Sequence, residues 1–434
     1  MKFNRKTFFK IHQWIGIKLS ILFFVVCISG TFATISHEID WLIFPGLRAT
    51  PSEELASRNN IREAVAATYP EGKITFWWGA EEDYLCDILY VENEGQRWYV
   101  FANRRTGDIQ GATTLTFQRF MRDLHYFLFI PFQIGHFTVL IFGFLLFISL
   151  GTALYFYKKW YTKLFELKTG KGKVVLFRSL HRLVGVWSVP FVLLFSVTGI
   201  WYFMERTNIA GIAKTANMKT PTLETAALDS TDLDQFSYQI DYDAIEMAAQ
   251  QHIPNIKVSD IIPPSKVDQP IYLTGKSDIP LVRNRANRVY LHPTTYELID
   301  IQKAEAINTR TWLNDIADPL HFGYFGGLVT KLLWFFGGLG ISGLVLTGFW
   351  ISQKRKVRSE RQQKMQRMGK WKPVNIGLGF LTMGFMYAIL INRYAASIAL
   401  LIAITIIISL LITAWWYVFD YRIRKVVERE LAKA

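Results

Sequence analysis

Residues 177–203 read FRSLHRLVGVWSVPFVLLFSVTGIWYF, an apolar stretch long enough to cross a bilayer, with a histidine at its mouth. Residues 10–35 read KIHQWIGIKLSILFFVVCISGTFATI and repeat the layout. His12 precedes Gly16 by four residues and Gly30 by eighteen; His181 stands in the same relation to Gly185 and Gly199. The match extends outward. RDLHYFLFI places His125 before another apolar run, and ADPLHFGYF places His321 before its counterpart. Each of these two histidines is followed 33 residues later by a lysine, Lys158 and Lys354. The chain therefore reads as a tandem repeat of histidine helix, connection and histidine helix. Such repetition implies pseudo-twofold symmetry, with equivalent residues facing each other across an axis.

The composition agrees with a membrane protein. A chain of 434 residues that is 51% hydrophobic, with 33 Phe, 19 Tyr and 14 Trp, is too apolar for an ordinary soluble enzyme. Runs of about 20 apolar residues read as membrane helices. They lie at 13–36, 133–157, 183–204, 324–352, 374–391 and 396–418, the last two joined only by INRYA into a hairpin. The first run follows the basic KFNRKTFFK and lacks a small-residue cleavage site, so it reads as a retained signal anchor.

The net charge of +14 is distributed as a topology signal. The stretch 158–182 carries eight basic residues and one acid, and 353–373 carries nine and one. The connections 38–122 and 206–318 are acidic, with 9 basic against 13 acidic residues and 11 against 15. Positive-inside orientation places both termini and the basic loops in the cytosol, and the acidic connections outside. The basic residues hug helix ends, where they anchor to the lipid bilayer, and nucleic-acid binding is set aside. Cys27 and Cys86, one in a membrane run and one in a connection, form no disulfide framework.

The expected organisation follows. Residues 1–37 form the tail and first span, 38–122 the first outer domain, 123–158 the second span and 159–182 a basic loop. Residues 183–205 form the third span, 206–318 the second outer domain, 319–353 the fourth span, 354–373 a second basic loop, and 374–434 the hairpin and tail. Each connection reads as a helix followed by strands: IREAVAATYPEGKITFWW and DILYVENEGQRWYVFANRRTGDIQG in the first, DYDAIEMAAQQHIPNIKVSDI and NRVYLHPTTYELIDIQ in the second. The fold class is thus an α-helical integral membrane protein, a repeated four-helix core plus a hairpin, with two small outer α+β domains.

Four repeat-equivalent histidines suggest a shared chemistry. Symmetry turns His12 and His181 toward one space at the cytosolic side, and His125 and His321 toward another at the outer side. Two imidazoles facing across an iron make a bis-histidine b-haem site, which suits electron transfer, and two haems are expected. Gly16, Gly185, Gly323, Gly326 and Gly327 offer clearance for a flat macrocycle. Arg178 and Arg182 flank His181, and Arg119 and Arg122 precede His125; these guanidinium groups either receive haem propionates or anchor helix ends. Lys18 and Lys331 lie in membrane runs and should snorkel or pair. His37 and His136 lack a repeat partner and are alternative ligands or proton carriers, while His252 and His292 read as surface or substrate-side groups. GLGISG at 338–343 sits inside a membrane run with no preceding strand, so it fails as a dinucleotide site and reads as close helix packing.

The segments IHQWIGI…CISGTF and LHRLVGVWSVPFVLLFSVTGIWYF resemble the repeated helix of the PepSY-associated transmembrane family. RDLHYFLFIPFQIG…LGTALYFYKK and PLHFGYFGGLVTKLLWFFGGLGISGLVLTGFWI resemble its partner helices, and RWYVFANRRTGDIQG resembles the closing hairpin of a PepSY domain. The second copy, RVYLHPTTYELIDI, is looser, because Tyr296-Glu297 replaces the usual Thr-Gly. The resemblance covers about residues 8–355. It implies a bacterial inner-membrane protein, and it includes haem-containing ferric-siderophore reductases, for which His12, His125, His181 and His321 are the matching positions. On that reading a quinol or a separate cytosolic reductase donates electrons and a ferric siderophore or other ferric chelate accepts them. Arg283, Arg285 and Arg288 are the basic patch that could receive an anionic chelate, or else a solvated strand edge. Two other classes stand beside this one: a membrane-anchored PepSY binding or regulatory module without haem, and a transporter of the chelate or iron.

Overall fold

The computed structural model describes residues 4–50, 54–170, 172–224, 227–229, 233–359, 371–421 and 425. Most of the basic loop, 360–370, and most of the tail beyond 421 lie outside the described residues. Along the chain come α1 (Arg5–Lys18), α2 (Ser20–Ala33), α3 (Ser36–Ile43) and α4 (Arg58–Thr68), then β1 (Lys73–Trp78), β2 (Asp87–Asn93), β3 (Gln96–Ala102) and β4 (Ile109–Thr113). Helices α5 (Phe117–Phe127), α6 (Phe132–Phe156), α7 (Lys173–Trp187), α8 (Val189–Arg206), α9 (Ile212–Ala216), α10 (Phe236–Gln239) and α11 (Tyr242–His252) follow. Strands β5 (Lys257–Ile262), β6 (Ile271–Lys276), β7 (Asn287–Leu291) and β8 (Leu298–Gln302) precede α12 (Thr309–Phe322), α13 (Gly327–Ser359), α14 (Trp371–Asn392) and α15 (Ile398–Trp416). These form two compact units. A helical unit comprises Met1–Thr34, Met121–Phe203 and Leu332–Ala434; a sheet unit comprises Ile35–Phe120 and Met204–Lys331.

Among the described residues, four helices are long and apolar enough to cross a membrane: Phe132–Phe156, Tyr324–Lys354, Pro373–Asn392 and Ile398–Phe419. The number rises to six if two bent pairs each count as one span. The protein is thus a multi-pass membrane protein. The first and third runs, expected as continuous helices, are instead broken: α1 and α2 meet at 75° and α7 and α8 at 59°. The breaks fall at Leu19 and Ser188, seven residues after His12 and His181 respectively. At the second break Pro190 lies in the first turn of α8, where its missing N–H costs nothing and its ring excludes a continuing helix. At the first, the buried Ser20 hydroxyl donates back to the Ile17 carbonyl at 3.1 Å, which covers one acceptor released by the bend.

In the sheet unit the two connections do not make two separate domains. Among the described residues their strands form one antiparallel sheet of eight, ordered β4-β3-β2-β1-β5-β6-β7-β8. The halves join at β1 and β5, where Trp77 pairs with Ile261 and Trp78 with Asp260. One apolar core runs under both, with Ile61 and Val65 of α4 and Ile245 and Ala249 of α11 packed around Trp77 and Tyr242. The helix starts explain the merger. Asp243 of α11 accepts the Arg58 N–H at 2.8 Å at the start of α4, and Asn59 of α4 accepts the Tyr242 N–H at 2.8 Å at the start of α11. Each repeat therefore caps the other's helix, and a half folded alone leaves those amides without their acceptors.

The looser second hairpin is also explained. Gly107 takes a left-handed conformation at φ +82°, and Tyr296 occupies the corresponding turn at φ +58°. A non-glycine residue there costs about 1 kcal/mol or more. Tyr296 offsets this by accepting the Asp241 N–H with its hydroxyl at 2.8 Å and by packing against the shared core.

Buried Asp40 accepts from the backbone N–H of Phe117 at 2.6 Å and of Gln118 at 3.0 Å, capping α5. Burial pushes its carboxyl up from 3.8 to about 7, against the opposing pull of the two amides. The folded chain thus holds a proton there that the unfolded chain releases. That contribution to stability is complete below the unfolded value and is lost as the pH rises from about 4 through about 7. Asp40→Asn should flatten this part of the stability curve when unfolding is followed against pH. An unchanged slope would contradict the assignment.

Candidate functional site

The site is built from ring nitrogens and what they bond. His12 on α1 directs Nδ1 at the Ser149 carbonyl of α6, 3.0 Å away. The Ser149 hydroxyl lies 3.1 Å from the same nitrogen, and because the carbonyl can only accept, the arrangement favours the tautomer with the proton on Nδ1 and the lone pair on Nε2. His181 on α7 directs Nδ1 at the Thr347 hydroxyl of α13, at 2.9 Å. That hydroxyl donates its own hydrogen to the Gly343 carbonyl at 2.7 Å, so it too receives a proton from the imidazole. His125 on α5 places Nδ1 2.9 Å from the Val26 carbonyl of α2, giving the same tautomer.

The glycines divide into two groups. Next to Gly16 an added Cβ meets nothing within 4 Å, and next to Gly185 only Leu344 at 3.8 Å, so both leave space beside the inner histidines. Gly323 and Gly327 instead serve the backbone, at φ +74° and +61°, and Gly326 lies against the Thr330 side chain. The glycines that actually meet the histidines are different. A Cβ on Gly30 lands 2.6 Å from the His125 ring, and one on Gly348 lands 3.2 Å from the His181 ring. Gly30 was legible as a repeated position, but its packing against His125 was not. Ser149, Thr347 and Gly348 were missed because hydroxyls and small residues are common in membrane helices and nothing local marks these as histidine partners.

A cavity of about 180 Å³ opens at His181 between α7 and α13, with Gly340, Gly343 and Thr347 in its wall. Arg182, beside it, has a buried Nε without a hydrogen-bond partner and lies over the Tyr157 ring at 5.7 Å. Neutral imidazoles with Nδ1 held by an acceptor and Nε2 carrying the lone pair are the donor set of a bis-histidine haem. An unpartnered guanidinium nitrogen suits a carboxylate such as a propionate. Taken singly, His12 and His181 have the chemistry of b-haem ligands and Arg182 that of a propionate partner, and the cavity lies against His181. Among the described residues no group of three or more His, Cys, Asp or Glu could hold a bare metal ion.

The remaining candidates separate. His321 lies near the end of α12, its ring 5.4 Å from that of Phe322. Arg178 and Arg122 are exposed, Arg122 lying over the Tyr126 ring at 5.7 Å, and Arg119 is buried. His136 is packed between Tyr126 and Phe132, with Nδ1 3.2 Å from the Tyr126 carbonyl. His37 stacks on Trp78 with ring centroids 4.7 Å apart and leaves its buried Nδ1 without a partner. Burial, reinforced by the Lys331 ammonium, pushes the His37 imidazole down to about 4. Lys331 pairs, as expected of a charge in a membrane run, donating to Glu38 and Glu82 at 2.8 Å each.

The arginine triplet is not an open basic patch. Arg283 meets Asp318 at 2.8 Å, Arg285 meets Asp315 at 3.3 Å, and both guanidinium groups also approach Glu205. Arg288 is 4% exposed and donates to the Arg285 and Ala216 carbonyls. Their charge is compensated inside the sheet unit by Glu205, Asp315 and Asp318. His292 belongs to the β7–β8 turn, where its Nδ1 accepts from Thr294 and Thr295 amides.

A family model described as the PepSY-associated TM region matches residues 9–355. No curated protein matches the chain.

Proposed function

The chain belongs to the PepSY-associated transmembrane family, and from that premise we propose that it is a b-haem electron-transfer protein that reduces a ferric chelate at the outer face of a bacterial inner membrane. The observation that carries this reading is the shared tautomer of His12, His125 and His181, each with Nδ1 held by an acceptor on a neighbouring helix. A haem held by such imidazoles would supply one-electron transfer. His12 and His181 would hold the inner haem, and His125 and His321 are the repeat-equivalent residues assigned to the outer one. Ser149, Thr347 and the Val26 carbonyl fix ring orientation, and Arg182 would receive a propionate. Reduction of Fe(III) weakens the hold of hard oxygen ligands, because Fe(II) has lower charge density, and so releases the iron. Electrons come from a quinol or a separate reductase.

A reduced-minus-oxidised absorption spectrum of the purified protein tests the cofactor. Reduced protein is then mixed anaerobically with a panel of ferric siderophores while haem reoxidation and trapped Fe(II) are followed. Reoxidation by oxygen but by no ferric chelate would sink the reductase reading even with haem in place.

Orientation is part of the proposal. Reporters fused after Tyr90 and Asp260 should sit outside, and one fused after Gly170 should sit in the cytosol. A cytosolic signal at either outer position breaks the assignment of sides. The two broken spans are the feature that favours transport, since discontinuous helices line substrate paths in transporters. Uptake of radiolabelled chelate by proteoliposomes without an added reductant would select that alternative.

A further inference from the structure

Helices α14 and α15 lie beyond the stretch matched by the family model, and nothing so far gives them a task. Their polar contacts are few and specific. Asn375, 2% exposed, donates through Nδ2 to the Lys18 carbonyl at 2.8 Å. Lys18 is the last residue of α1, six after His12, and the chain bends by 75° just beyond it. A bend frees carbonyls from the helical ladder, and in a bilayer each freed acceptor needs a partner inside the protein. Asn375 supplies one, and Trp371 meets Trp14 edge-on, ring centroids 5.8 Å apart, on the same helix α1.

The other end of α14 holds the second half of the pattern. Tyr394, 3% exposed, donates its hydroxyl in a short hydrogen bond to Asp123, which is 1% exposed and two residues before His125 on α5. The turn that presents Tyr394 is tightly specified. The Ala396 N–H returns to the Leu390 carbonyl at 2.9 Å, closing the end of α14, and Ala395 is held at φ +44°. An alanine in that conformation costs on the order of 1 kcal/mol, so the turn is kept against its local preference. Leu390 and Met386 are buried along the same helix, which seats α14 firmly.

We propose that the C-terminal hairpin is a positioning brace for the two histidine helices of the first repeat. Asn375 sets the break after His12, and Tyr394 sets the helix that carries His125. Neither residue touches a cofactor; both act through the helices that present the ligands. The proposal rests on the haem reading above for its spectroscopic consequences and on the geometry alone for its structural ones.

The test uses the full chain carrying Asn375→Leu or Tyr394→Phe, with Asn375→Gln as the conservative rescue that keeps an N–H donor. Asn375→Leu is expected to change the low-spin spectrum and midpoint potential of the haem that His181→Ala removes. Tyr394→Phe should change only the haem that His321→Ala removes. Hydrogen exchange around Leu19–Leu22 should speed up roughly five- to tenfold in Asn375→Leu, the effect of one lost hydrogen bond, and return toward normal in Asn375→Gln. Changes at the opposite haem, or none in either spectrum, overturn the brace. If the wild-type protein proves to lack haem, the haem reading fails by itself, and unchanged exchange in Asn375→Leu then overturns the brace independently.

Discussion

His181→Ala is expected to lower haem content from about two per chain to about one, and His321→Ala to remove the other. The two losses should be distinguishable by spectrum, because each substitution empties a different pair. The environment of His181 makes the sharper test. Its Nδ1 proton goes to Thr347, whose own proton is committed to Gly343, so the imidazole is held in one orientation and one tautomer. Thr347→Val keeps the shape of the side chain and removes the acceptor. Haem should be retained, but a less basic ligand stabilises Fe(III) less, and the midpoint potential should rise. Thr347→Ser should bring it back. Haem quantification and redox titration of the five proteins, wild type included, decide the matter. If substitution of each of His12, His125, His181 and His321 leaves haem content unchanged, the ligand assignment is wrong, and His37 and His136 become the residues to change.

How far this was legible in the sequence depends on the kind of information each feature carries. Membrane runs announce themselves by length and polarity, and the span ends found at Phe132–Phe156 and Tyr324–Lys354 lie within a few residues of the expected ones. The helix-then-strand order of the connections was legible from periodicity and turn residues. The bends were not. Pro190 was in plain view, yet a proline in a first helical turn is as compatible with a helix start as with a break, and at Leu19 no residue type signals a bend at all. The single sheet was also hidden, since strand propensity does not say which edge strand finds which. The reciprocal caps Asn59 and Asp243 are ordinary polar residues of a first helical turn, and nothing local assigns either to the other repeat's helix. The surroundings of the arginine triplet were hidden for a related reason: charge in the sequence is visible, but its compensation by Glu205, Asp315 and Asp318 depends on contacts from 30 or more residues away.

The sheet unit's stability should hinge on Arg58. Its side chain is 3% exposed and reaches both repeats at once. Nε meets Glu246 of α11 at 2.6 Å, Nη2 donates to the Val258 carbonyl of β5 at 2.9 Å, and Nη1 lies 3.7 Å from Asp87 of β2. The guanidinium also lies over the Trp77 ring at 5.2 Å, and Trp77 in turn donates to Asp87 at 2.8 Å. Arg58→Ala leaves Asp87 buried without its cation, removes the link between α4 and α11, and opens a void beside Trp77. Breaking a buried ion pair by removing one partner costs about 3–5 kcal/mol. Arg58→Lys should fall between, since a single ammonium cannot serve two carboxylates and a carbonyl in a fixed fork. Cys86 provides the readout, because it is fully buried in this unit. In a Cys27→Ala background, the rate at which a thiol reagent labels Cys86 under native conditions should rise by roughly two to four orders of magnitude in Arg58→Ala, the factor corresponding to that loss. Labelling within about threefold of the parent would mean that the reciprocal caps and the shared core hold the two repeats together without the buried arginine.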